Sequence, residues 1–253
     1  MPDTPCPACQ DTGWVPAEAG GGAVRRCNCI RARQAVIRLE RARVPKRYQA
    51  CTFGNFELHD DTHKRAVMIA RKLLENYPSQ DIGLLFIGPP GVGKTHLAAA
   101  LLIELVQAKR ASGLFYDFRD LIRDIQETYT PESGRSESEI LAPVFDSDVV
   151  LFDELGAKRP TAWVEETIFS IVNHRYNRKK LTLFTSNFLD TGDEEEDRRQ
   201  PMFKKTDLFR KGDDTLVDRI GYRLRSRIYE MCKVVPMEGQ DYRKHVKQAG
   251  YRF

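Results

Sequence analysis

Between Leu84 and Thr95 four apolar residues, Leu84-Leu85-Phe86-Ile87, run directly into Gly88-Pro89-Pro90-Gly91-Val92-Gly93-Lys94-Thr95 and then into a helix-forming stretch. This order, strand then glycine loop then helix, restricts the chain to folds that cradle an anion at a strand's carboxyl end. Gly88, Gly91 and Gly93 let successive backbone N–H groups turn inward, and the helix starting near Lys94 aims its positive dipole end at the same point. The spacing G-x-x-x-x-G-K-T assigns Lys94 to the β- and γ-phosphates of a nucleotide and the Thr95 hydroxyl to Mg2+. The nucleotide-contacting set is therefore Gly88, Pro89, Pro90, Gly91, Val92, Gly93, Lys94, Thr95 and His96. A glycine turn that merely carries a lysine would not need the flanking strand and helix.

A second strand reads the same way. Val149-Val150-Leu151-Phe152 is too short an apolar run for anything but a buried parallel strand, and it delivers Asp153 and Glu154 at its carboxyl end. Ligands of open α/β sheets bind there. Asp153 suits the Mg2+-holding role and Glu154 the orientation of the attacking water. One strand, Leu114 to Phe118, separates the two motifs, a mark of phosphate-loop ATPases with a built-in glutamate. Asn187, closing Leu181-Thr182-Leu183-Phe184-Thr185-Ser186, could report the γ-phosphate or simply be a turn residue.

The 253 residues allow one α/β domain with a small appendage, and 41% apolar against 30% charged content describes a globular chain. No run approaches a membrane span, and the start Met1-Pro2-Asp3-Thr4-Pro5-Cys6 has neither a basic nor an apolar leader region, which points to the cytoplasm. Residues 1–30 read as a separate segment. Cys6-x-x-Cys9 and Cys27-x-Cys29 enclose seventeen residues rich in Gly and Ala, too few to build a core by burial. Four thiolates around Zn2+ would solve that problem, and disulfides fit a cytoplasmic ATP site poorly. Cys51 and Cys232, in apolar company, read as buried small residues.

Residues 31–47 form a basic helix and linker. From Arg25 to Arg47 nine basic residues face one acid, Glu40, in a chain whose net charge is +4. Such a field favours phosphate-rich or acidic partners, though a solvated helix face would show the same pattern. Ile30, Ile37 and Val44 recur at heptad spacing, so the helix docks on something, and Pro45 ends it. Tyr48 to Phe56 either covers the adenine or anchors the core. Further helices are expected over Asp61–Tyr77, Thr95–Lys109, Asp120–Glu127, Ala162–Asn177 and Thr215–Met231, a loop over Thr130–Ser138, and a last strand over Cys232–Met237. The acids Asp193 to Asp197 and the bases Lys204, Lys205, Arg210 and Lys211 read as a long solvated insertion. Arg219, Arg223 and Arg227 form a row along one helix, where an arginine finger or a plain basic face is possible. Sixteen residues follow Met237, fewer than a helical lid needs.

As a set and in order, GPPGVGKTHLA (Gly88 to Ala98), LFDELG (Leu151 to Gly156), Trp163, Arg175-Tyr176-Asn177, Thr185-Ser186-Asn187 and RIYEMCKVVPMEGQDYR (Arg227 to Arg243) resemble the DnaC/DnaI/IstB group of AAA+ ATPases over Tyr48 to Arg243. The resemblance implies an α/β AAA+ core without a lid (48–243), a zinc-binding N-terminal segment, a basic tail (244–253) and ATP hydrolysis to ADP and phosphate. It makes Lys94 and Thr95 Walker A, Asp153 and Glu154 Walker B, Asn187 sensor 1 and Arg227 the finger through which protomers self-associate, and gives Arg243 a sensor-2 part. It implies a bacterial helicase loader whose partners are a hexameric replicative helicase and single-stranded DNA, with an IstB-type transposition helper as the nearest alternative. A zinc-ribbon DNA adaptor with structural ATP is a third reading. Glu154 where many members carry Asp, the C-x-C pair and the charged insertion depart from the group's pattern.

Overall fold

The computed structural model describes residues 5–17, 23–128, 136–158, 161–190 and 214–245. The insertion's charged residues, from Asp193 to Lys211, lie outside the described residues. So do most of the expected loop at 130–138 and the tail beyond His245.

Five parallel strands form the central sheet in the order β4-β5-β6-β3-β7, namely Gly113–Asp117, Val149–Asp153, Leu181–Ser186, Gly83–Ile87 and Cys232–Pro236. Side chains alternate across a strand, so successive residues of one apolar run feed two cores. Leu84, Phe86, Leu151 and Leu183 pack under α1 (Asn28–Arg41), α2 (Asp61–Asn76) and α3 (Lys94–Gln107). Leu85, Val150, Phe152 and Phe184 pack under α4 (Phe118–Glu127), α5 (Glu137–Asp146), α6 (Ala162–Asn177) and α7 (Leu216–Met231). Both faces are covered, as an all-parallel sheet requires.

Most expected elements stand within two residues of their places, and three differences have physical causes. The helix α5 falls where the sequence suggests only a loop running to Ser138. Pro143 inside it hides the helical pattern, while Ser136 and Glu139 close a reciprocal capping box. The helix α4 begins at Phe118 instead of Asp120, because the Asp117 carboxylate accepts from the Arg119 N–H and caps it. The helix α7 bears the expected stripe of Leu216, Ile220, Leu224 and Ile228, yet breaks at Gly221, whose φ of 77° no side chain adopts readily.

The basic helix α1 docks on this chain's own core. Val44, expected on its stripe, lies beyond its end, but Ala42 and Val44 are buried and the Phe115 N–H donates to the Ala42 carbonyl at 2.7 Å. Ahead of α1 stand a two-stranded hairpin, β1 (Trp14–Pro16) and β2 (Val24–Arg26), and the four N-terminal cysteines. Among the described residues no helix is long and apolar enough to cross a membrane.

Candidate functional site

The strand order puts β6 between β3 and β5, so the glycine loop after β3 and the acids after β5 face each other across the end of β6. Gly91 and Gly93 adopt φ of 84° and 95°, conformations that admit only glycine without strain. Both are also crowded. A Cβ on Gly93 would stand 2.6 Å from the Phe56 ring, and one on Gly91 would stand 1.9 Å from an Asp241 carboxylate oxygen. Phe56, at the end of the stretch from Tyr48, therefore packs under the loop while Tyr48 stacks on Phe115, and the segment after β7 lies over the loop. Tyr242 donates its N–H to the Gly91 carbonyl at 3.1 Å, and Met237 donates to Ile87 at 2.8 Å. The Arg243 guanidinium stands 3.5 Å from Asp241 and belongs to the field acting on Lys94.

Lys94 is buried. Its ammonium donates to the Gly88 and Pro89 carbonyls at 2.8 and 2.7 Å, and burial pulls its pKa down to about 8. Val92 turns its side chain into the core, leaving only its backbone to the loop. His96 Nε2 meets Asn55 Oδ1 at 2.9 Å and the Thr52 carbonyl at 3.3 Å, which ties α3 to the preceding strap.

At the end of β5 the Asp153 carboxylate accepts from Thr95 Oγ1 at 2.8 Å and from Thr185 Oγ1 at 2.6 Å. Burial nevertheless lifts its pKa to about 6, because two neutral hydroxyls do not replace water around a buried anion. A divalent cation beside Thr95 and Asp153 would relieve that cost, so the residues fit Mg2+. The neighbouring Glu154 adopts φ of 56°, and its N–H donates to Thr185 Oγ1 at 3.0 Å. Its carboxylate is paired with Arg119 at 2.7 Å. Thr185 and Arg119 thus belong to the site although sequence reasoning assigned neither a role. Thr185 lay inside the Thr-Ser-Asn motif, but nothing in the sequence marked Arg119.

Asn187 is the first residue past β6, half-buried between the two motif ends. Arg227 is elsewhere. It lies over the Tyr176 ring at 4.2 Å and pairs with Glu230 at 3.2 Å, just before β7 begins, at the sheet edge opposite the glycine loop. Arg223 covers Phe169, while Arg219 covers Phe188 beside the Asp153-Glu154 turn.

The cysteines converge. Cys6 and Cys27 sulfurs lie 3.8 Å apart, Cys9 and Cys29 3.3 Å, and the four lie within 4.8 Å of one another. Tetrahedral Zn–S bonds of about 2.3 Å place sulfurs roughly 3.8 Å apart, so this donor set fits zinc. Backbone N–H groups of Ala8 and Cys9 lower the Cys6 thiol to about 7, while hydrogen bonding with Cys9 raises Cys29 to about 12. A cation beside Cys29 would offset that rise. Cys51 and Cys232 are buried elsewhere, as expected.

A family model described as IstB-like ATP binding protein matches residues 24–250. The chain belongs to the IstB-like ATP-binding family. Among curated relatives, this IstB-like protein is 28% identical over 169 residues to the replicative helicase loader DnaC of Escherichia coli K12, covering 66% of this chain and 68% of that one. It is 28% identical over 149 residues to DnaC of Buchnera aphidicola (subsp. Baizongia pistaciae), 59% of this chain and 60% of that one. The aligned part is thus under two thirds of the Buchnera loader. A crystal structure of the DnaC helicase loader superposes with a TM-score of 0.62 at 30% identity, covering 76% of this chain and 99% of that one. The IstB-like core is an AAA+ fold.

Proposed function

We propose that this IstB-like protein is an ATP-dependent loader that grips a hexameric replicative helicase and delivers it to single-stranded DNA, hydrolysis of ATP driving release. The observation that carries the reading is the convergence of Lys94, Thr95, Asp153 and Glu154 on one edge of a core that is 30% identical to the DnaC helicase loader structure. Bound Mg2+ would supply the positive charge that offsets the γ-phosphate's. The chain's own residues do the rest. Backbone N–H groups from Gly88 to Thr95 bind the phosphates. Lys94 exchanges its two carbonyl partners for phosphate oxygens, and Thr95 and Asp153 hold the cation. Glu154 leaves Arg119 and orients the attacking water, while Asn187 reads the γ-phosphate.

Arg227, remote from its own glycine loop, serves a neighbouring protomer as the finger. Arg243 acts from above the loop. The four cysteines hold zinc, which shapes the N-terminal segment.

The test is a Glu154→Gln variant, trapped with ATP and used to capture partners from lysate. Recovery of a hexameric helicase is the expected result; recovery of a transposase instead would establish the transposition-helper reading, which the family model's name favours. ATP turnover and biological activity both undiminished in Glu154→Gln would show that catalysis by this residue is not the mechanism, whereas ATP bound but never turned over by the parent chain would leave it as a structural ligand of an adaptor.

A further inference from the structure

The hairpin in front of α1 carries a surface that neither nucleotide chemistry nor the fold requires. Its antiparallel register pairs Trp14 with Arg26, Val15 with Arg25 and Pro16 with Val24. Directly opposed residues share a face, and residues two apart on a strand share it too. Trp14, Pro16, Val24 and Arg26 therefore point the same way, and all four are exposed, Trp14 to 49% and Val24 to 62%. The Arg26 guanidinium lies 5.8 Å from the centre of the Trp14 ring.

This face is held rigidly. The Cys27 N–H donates to the Gly13 carbonyl at 2.8 Å, and the Gly13 backbone approaches Ile30 so closely that a Cβ there would stand 2.4 Å from its side chain. The cysteine cluster clips the hairpin from the same end, and α1 fixes it to the core.

A flat aromatic beside a guanidinium, in a cationic surround, is the arrangement on which unpaired bases stack while their phosphates are neutralised. Arg25, Arg33 and Arg41 are exposed along the hairpin and α1, and Arg43, Lys46 and Arg47 are exposed just past its end. The acids described there are Glu40 and Asp11, and Asp11 is tied to Arg33. We infer that the Trp14–Arg26 face is a single-strand nucleic-acid platform, a base stacking on Trp14 with a flanking phosphate met by Arg26. The inference rests on the loader reading only in that the chain meets single-stranded DNA, and it places one such contact on the hairpin.

The full zinc-loaded chain has two tryptophans, so Trp163→Phe leaves Trp14 as the sole indole reporter. Titration with oligodeoxythymidylate should quench its emission at the same midpoint that fluorescence anisotropy of a labelled oligonucleotide gives. In the parent chain Trp14→Ala should weaken binding about tenfold and Trp14→Phe much less, since stacking tolerates any aromatic face. Arg26→Ala should flatten the slope of log affinity against log salt by about 0.7, the value for one single-strand phosphate lost. Unchanged zinc content certifies each variant's hairpin.

Binding with Trp14 emission unmoved would overturn the platform while leaving the loader reading in place. No binding in any nucleotide state would remove the platform together with the DNA half of that reading. Quenching by purified helicase but not by the oligonucleotide would make the face a protein interface and refute the inference equally.

Discussion

Arg175 offers the sharpest test of how this sheet is held. It is fully buried, and its guanidinium spends its donors on five acceptors. Nη1 donates to the Val144 and Ser147 carbonyls at 2.7 and 3.0 Å, Nη2 to Leu181 and Asp148 at 2.7 and 3.4 Å, and Nε to Thr182 Oγ1 at 3.0 Å. These groups belong to the end of α5 and the starts of β5 and β6, so one side chain joins three elements at the edge opposite the nucleotide site. Burial lowers its pKa to about 9, still above neutral pH, so the guanidinium stays charged and keeps its planar set of N–H donors. Replacing Arg175 with Met keeps the volume and strands the Val144 and Leu181 carbonyls, which are bonded to it in the interior. The Ser147 and Asp148 carbonyls lie nearer solvent and can take water, and Thr182 keeps its bond to the Lys180 carbonyl. Two stranded carbonyls at about 1–3 kcal/mol each sum to about 2–6 kcal/mol, and no longer burying a charge offsets part of this, which leaves a loss of roughly 2–4 kcal/mol. Against a typical total of about 5–15 kcal/mol this is large. Urea denaturation of the nucleotide-free protein followed by circular dichroism measures it. Arg175→Lys, with three donors on one atom, should lose less than the Met variant. A Met variant within about 1 kcal/mol of the parent, or a Lys variant worse than Met, would refute the argument.

Four further outcomes are expected. Arg119 is 55% exposed, so its pair with Glu154 is worth under about 1 kcal/mol, and Arg119→Ala should raise steady-state ATP turnover by no more than roughly fivefold; a tenfold fall would mean Arg119 acts on the nucleotide instead. Gly91→Ala combines a positive φ with a collision against Asp241, so the fold should lose about 1–3 kcal/mol and nucleotide affinity measured by calorimetry below the melting range should drop about tenfold or more. Because burial depresses Lys94 to about 8, the free site loses its ammonium charge as pH rises, and ATP affinity should fall between pH 7 and 9; Lys94→Arg should abolish that dependence even if it binds more weakly. Stripping metal from Cys6, Cys9, Cys27 and Cys29 should expose the hairpin to limited proteolysis within 5–27 without shifting the core's denaturation midpoint, and a coupled loss of both would show that the clip supports the sheet.

The glycine loop, the strand and helix on either side of it and the helix Ala162–Asn177 were legible in the sequence, because strand runs, helical stripes and caps are written within a dozen neighbouring residues. The spacing of Cys6, Cys9, Cys27 and Cys29 likewise announced a common ligand. Other features depended on partners far along the chain. Pro143 concealed α5, whose end is secured by Arg175 some thirty residues later. Arg119 on Glu154, Thr185 on Asp153 and Asp241 over Gly91 are pairings that no periodicity encodes. Local residues chose the strand, loop and helix and supplied the chemistry at their ends. Only the crossover order β4-β5-β6-β3-β7 decided which ends would meet, because side chains fully extended along separate strands become neighbours when hydrogen bonds set those strands side by side.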